Sequence, residues 1–142
     1  SISLTLILSL LSFLLYLSLN FACLLPFPGK IVAMSTIMHH FFVCTNGRPA
    51  GHPLPSCAPR GGAAVYAAFT RELARRGFPE GVKVTASGCL TPCNHGPNVV
   101  VYPAGAWYAN VTDADVPVIL AAILDGVGTA EHLRLPDGVQ LT

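Results

Sequence analysis

The sequence predicts an α/β domain with the element order β-α-β-β-β-α. Three features predict it: short runs rich in β-branched and aromatic residues, two stretches with apolar residues at helical spacing, and Gly/Pro breakers between them. The 142 residues suffice for one domain with its own core and not for two ordinary ones.

Taken in order, Thr36 to Val43 reads as a strand that delivers Cys44 at its end. Residues 45–61 hold Pro49, Pro53, Pro55, Pro59 and several glycines, and read as a loop; so long a loop in a compact domain points to function. Gly62 to Gly77 predicts a helix with Val65, Ala68, Phe69 and Leu73 on its inner face and Arg71, Glu72, Arg75 and Arg76 in solvent. Gly77 closes it. Val82 to Ala86 is a second strand, ending just before Gly88-Cys89. Asn98 to Tyr102 and Ala106 to Val111 form a hairpin turned at Pro103-Ala104-Gly105. The last helix starts between Thr112 and Asp115, turns Val116, Ile119, Leu120, Ile123 and Leu124 inward, and stops at Gly126. Pro117 fits only in a first turn, which favours Asp113 or Asp115 over Thr112 as the cap. Residues 127–142 read as a C-terminal tail with one short strand near His132 to Leu135. There is no internal repeat.

Charge excludes some classes of partner. Eight basic and seven acidic residues leave a net charge of +1, and no Lys/Arg stripe offers a nucleic-acid footprint. Without Lys30 the signs balance over residues 34–142, so partner choice rests on local shape rather than long-range steering.

Residues 1–28 differ from everything that follows. They carry no charge, and 19 of the 28 are apolar or aromatic, which inflates the 52% hydrophobic content of the chain. As a helix the segment would span about 40 Å at ~1.5 Å per residue, against the ~30 Å of a bilayer core. Residues 1–33 therefore read as a mis-called start, a membrane anchor flanked by Lys30, or a targeting peptide. The first reading is preferred, because Met34-Ser35 stands just ahead of the first strand. A signal peptide fits less well, since no basic region precedes the apolar run. Pro26-Phe27-Pro28-Gly29 marks the boundary, and the domain proper is placed at 34–126.

The chemistry lies in the cysteines. Four of the five fall in two pairs, Cys44-x12-Cys57 and Cys89-x3-Cys93, each following a strand and lying in Gly/Pro-rich loops. Four thiolates from two loops can hold an iron–sulfur cluster or a single metal ion. Gly47, Gly51, Gly88 and Gly96 would let backbone approach a cofactor, Pro92 and Pro97 stiffen the second pair, and Arg48 and Arg60 lie near enough to offset thiolate charge. On spacing alone a structural four-cysteine zinc module is the main alternative, although zinc ribbons use two tight knuckles and a twelve-residue gap is unusual for them. A thiol–disulfide oxidoreductase would want Cys-x-x-Cys after the first strand, and covalent haem Cys-x-x-Cys-His; neither is present. Structural disulfides are possible in an exported protein. His39 and His40 read as ordinary strand positions, and Tyr102, Trp107 and Tyr108 as hairpin packing. His52 and His95 stand near the cysteines in sequence without being needed as ligands.

From about Phe41 to Gly126 the chain resembles the thioredoxin-like [2Fe–2S] ferredoxins. The landmarks are Val43-Cys44-Thr45-Asn46, Ser56-Cys57, Ser87-Gly88-Cys89-Leu90, Cys93, Gly96-Pro97, Val101-Tyr102-Pro103 and Trp107-Tyr108. The resemblance implies a thioredoxin-like α/β fold with a central mixed sheet and helices packed on it. It implies one [2Fe–2S] cluster on Cys44, Cys57, Cys89 and Cys93, and a non-enzymatic electron carrier working with redox partner proteins. Dimers are expected from the same resemblance, as is a cytoplasmic location unless residues 1–33 anchor or target the chain. The cluster-bearing subunit of respiratory NADH dehydrogenases is similar around Cys89 and Cys93 but has a far shorter first gap, so a subunit of a larger NAD/flavin oxidoreductase is the second alternative. With four thiolates and no histidine ligand, the expected potential lies near the plant-type value of about −400 mV.

Overall fold

The computed structural model describes Leu8, Ser9 and Ser12, which are helical, and residues 36–139. The remainder of the 1–33 segment, Cys23 included, lies outside the described residues. Among the described residues no helix is long and apolar enough to cross a membrane.

The observed order is β1 (His39–Cys44), α1 (Gly62–Arg75), β2 (Val82–Ser87), β3 (Val99–Tyr102), β4 (Ala106–Tyr108) and α2 (Val116–Leu120). The strands form one mixed sheet in the order β2-β1-β3-β4. β1 runs parallel to β2 with Cys44 opposite Ser87, and antiparallel to β3. β3 and β4 form the predicted hairpin.

Alternation along β1 sends Phe41 and Val43 into the core, where they meet Val99 and Val101 of β3 and the inner stripe of α1, Val65, Ala68, Phe69 and Leu73. The Phe41 and Phe69 rings tilt against each other at 5.2 Å. Truncating either would cost about 3–5 kcal/mol, because both are fully buried. Val116, Ile119 and Leu120 of α2 complete the core, and Ile123 and Leu124 pack half-buried at its margin. The opposite sheet face carries His40, Phe42 and Tyr102, with Phe42 edge-on to Tyr102 at 6.3 Å. Tyr108, by contrast, is a core residue.

Local departures from the predicted elements have identifiable causes. β1 begins at His39 rather than Thr36, because the N–H groups of Met38 and His39 both donate to Gly81 O. β4 stops at Tyr108, not Val111: the Asn110 and Val111 N–H groups turn to His95 O and Pro97 O, and Asn110 adopts φ +50°. Glu72 is not in solvent. It lies on the buried side of α1 and is bound by Arg75 at 2.8 Å and Arg76 at 3.3 Å, while Arg76 reaches on to Asp125 at 2.8 Å. Thr112 opens the last helical segment, the Asp115 carboxylate accepting from the Thr112 N–H at 2.8 Å and its hydroxyl at 2.6 Å, while Asp115, one of the two expected caps, is the N-cap residue of α2 itself. A 3-10 turn over Asp113–Asp115 follows, then α2 with Pro117 in its first turn, then a π turn over Ala121–Asp125 closed by Gly126 at φ +63°. Near His132 a 3-10 turn (Glu131–Leu133) stands where a strand was expected, and only Arg134 bridges to Tyr108. Ala130 and Leu133 nonetheless reach the core.

Candidate metal centre

Parallel pairing of β1 with β2 builds the site. Because Cys44 ends β1 opposite Ser87 at the end of β2, the loops after both strands start side by side. Thr45 ties them: its N–H and its hydroxyl both donate to Ser87 O, at 3.0 and 3.1 Å. The first loop returns through Ala58 N–H to Asn46 O at 3.0 Å, which brings Cys57 back to Cys44. Cys57 then caps a 3-10 turn (Ala58–Arg60), its carbonyl accepting from Arg60 and Gly62. In the second loop, Thr91 at φ +80° turns the chain so that Cys93, at the head of another 3-10 turn, meets Cys89 with 3.3 Å between sulfurs.

All four predicted ligands are free cysteines. Their sulfurs are not disulfide-bonded; 3.3 Å is far beyond an S–S bond of about 2.05 Å. Cys44, Cys57 and Cys93 are buried and Cys89 is exposed. Among the described residues no three His, Cys, Asp or Glu side chains are gathered as a single-ion site, so the sulfurs stand as two pairs.

Backbone donors converge on these sulfurs. The Asn46 and Leu90 N–H groups point at the Cys44 sulfur, the Asn98 N–H at Cys57, and the Thr91 N–H at Cys89, the last at 3.4 Å. Hydrogen bonding from the Cys57 thiol, helped by those of Asn46 and Leu90, holds Cys44 down to about 6 against the opposing effect of burial. Cys57 is pushed up, first by giving that hydrogen bond and then by burial. On the second pair, burial and the bond to Cys89 raise Cys93. Cys89 is lowered despite burial by the Thr91 N–H, Cys93 and Arg48.

Arg48 and Arg60 separate in role. The Arg48 Nη2 donates to Cys93 Sγ at 3.3 Å and to Cys89 Sγ at 3.5 Å. Arg60 reaches no sulfur and ties the second loop through the carbonyls of Cys93 and Asn94, at 3.0 and 3.2 Å. Of the four glycines picked out in the sequence, only Gly96 makes a close approach. A Cβ there would stand 2.5 Å from Cys57 Sγ, whereas Gly51 and Gly88 face open space and Gly47 meets only Ala58 at 3.5 Å. Gly62, read only as a helix start, is a second tight point beside the cysteines: a Cβ there would collide with the Cys44 carbonyl. Asn98 was also missed. It is buried at the head of β3, its carbonyl accepts the Cys44 N–H at 2.9 Å, and its side-chain amide donates to Pro92 O at 3.0 Å. A lone amide heading a run of valines was the available signal. Of the histidines, His52 stands beside Arg48, and His95 contributes its carbonyl to Asn110 N–H.

Fold and loops together define a small thioredoxin-like protein with two cysteine pairs in adjacent loops. No family model matches the chain. It is 42% identical over 101 residues to a 2Fe-2S ferredoxin of Aquifex aeolicus, covering 70% of this chain and 90% of that one. To a 2Fe-2S ferredoxin of Clostridium pasteurianum it is 36% identical over 97 residues, covering 68% and 95%. The 1.5 Å crystal structure of the wild-type thioredoxin-like [2Fe–2S] ferredoxin from Aquifex aeolicus superposes with a TM-score of 0.64 at 39% identity, covering 69% of this chain and 96% of that one. The chain belongs to the thioredoxin-like [2Fe–2S] ferredoxin family.

Proposed function

We propose that this protein carries one [2Fe–2S] cluster on the thiolates of Cys44, Cys57, Cys89 and Cys93 and passes single electrons between partner oxidoreductases. One observation carries the reading: four free cysteines in two adjacent pairs, three of them buried, with backbone N–H groups aimed at the sulfurs of Cys44, Cys57 and Cys89. That donor set suits the cluster, whose sulfur ligands must be deprotonated and whose potential follows hydrogen bonding and burial. When bound, the cluster supplies a one-electron couple. The chain supplies the rest. Loops pinned by Thr45, Asn98 and Arg60 hold the sulfurs in place, so that little need move between oxidation states. The buried first pair is kept from water, and exposed Cys89 marks the edge nearest a docking partner.

The partners are other redox proteins, recognised by local shape because the charges nearly balance. A dimer and a location inside the cell, where clusters are assembled, complete the reading; sedimentation gives the mass and fractionation the location. Anaerobic purification with iron, zinc and sulfide analysis tests the class. Two irons and two acid-labile sulfides per chain support the carrier. One zinc and no sulfide would replace it with a structural zinc module.

A further inference from the structure

We propose that Arg48 is the residue by which this chain raises the reduction potential of its centre, as a positioning donor along the Cys89–Cys93 edge; the inference rests on the ligand set proposed above. Its guanidinium is the one charged group among the described residues with hydrogen bonds to two of the cysteine sulfurs, 3.3 Å from Cys93 Sγ and 3.5 Å from Cys89 Sγ. Both come from Nη2. Nη1 stands 3.2 Å from His52 Nε2, and the His52 ring is itself held by the Leu54 N–H at 3.0 Å. The third nitrogen is informative. Nε is buried without a hydrogen-bond partner among the described residues. A buried guanidinium N–H left unpaired is costly, and it is readily explained if the cofactor completes the acceptor set.

Arg60 makes the contrast. It carries the same charge near the same cysteines, yet donates only to the carbonyls of Cys93 and Asn94. Reduction adds one negative charge to the centre. A cation hydrogen-bonded to the ligand sulfurs favours the reduced form over the oxidised one, so the potential rises. Arginine suits this role better than lysine, because its planar fork meets several acceptors at once while lysine is a flexible point charge.

The test is a dithionite titration of the full, cluster-loaded chain followed by electron paramagnetic resonance, with resonance Raman spectra of the oxidised state. Arg71 lies exposed on α1 and supplies the control for loss of one positive charge. Arg48→Gln is expected to lower the midpoint and shift the iron–thiolate stretching bands, Arg48→Lys to fall between it and the wild type, and Arg71→Gln to change neither. An Arg48→Gln midpoint equal to that of the wild type, or no lower than that of Arg71→Gln, overturns the proposal. If Arg48→Gln does not keep its cluster, Arg48→Lys decides: a lowered midpoint supports the role and a wild-type midpoint refutes it. A wild-type protein with no reducible iron–sulfur signal would instead defeat the ligand reading, so the two failures are distinct.

Discussion

Gly96 stands against the sulfur of Cys57, so close that a Cβ at Gly96 would lie 2.5 Å from Sγ. The backbone there is extended, at φ −78°, and any residue could adopt it; the requirement for glycine is one of space. Gly96→Ala is therefore expected to displace Cys57 and lower bound iron several-fold, read by iron analysis and visible absorbance. Gly88→Ala, where a Cβ meets nothing within 4 Å, should keep the wild-type iron content.

The proposed ligands make a sharp set. Ala at Cys44, Cys57, Cys89 or Cys93 should bleach most of the chromophore and lower stability, since binding energy at such a site is also folding energy. Cys23→Ala should leave colour and iron unchanged. Full colour in Cys57→Ala with bleaching in Cys23→Ala would overturn the assignment.

The proposed all-thiolate ligation predicts a midpoint near the plant-type value of about −400 mV rather than in the Rieske range. A redox titration should find one reducible centre per chain. A midpoint well above 0 mV would argue against four cysteine ligands.

Glu72 links stability to pH. Arg75, then Arg76, hold its carboxyl below the usual carboxylate range against the opposing effect of burial. A carboxylate whose folded value is depressed contributes stability that is present above its unfolded value, about 4.3, and lost as pH falls toward the folded one. Thermal unfolding should show Glu72→Gln melting below the wild type at pH 7, with the difference shrinking below about pH 4. A gap that is constant with pH would assign Glu72 a packing role only.

The fifth expectation concerns residues 1–33. A chain beginning at Met34 retains every element and cysteine of the site. It should be coloured and redox-active. Mass spectrometry of the native protein separates the readings of the segment: an N-terminus at Met34 or Ser35 favours a mis-called start or removal, while peptides from 1–33 in a membrane fraction favour an anchor.

The class of fold and the four cysteines were legible in the chain because both depend on local pattern. Apolar spacing alone placed Val65, Phe69 and Leu73 inside, and the strand-then-cysteine rhythm put Cys44 and Cys89 at the heads of loops, as candidate ligands. Only the tertiary structure decided which residues serve those cysteines. Asn98 gains its role because β3 runs beside β1, bringing its carbonyl to Cys44 and its amide to Pro92. Arg48 and Arg60 look equivalent in sequence and part only where the loops fold, one onto sulfur and the other onto carbonyl oxygen. Glu72 reads as a surface charge until Arg75 and Arg76 close on it and Asp125 draws Arg76 across. Periodicity reports which way a side chain points from its own element. Hydrogen-bond partners between distant segments depend on register and loop closure, and these are set by the packed whole.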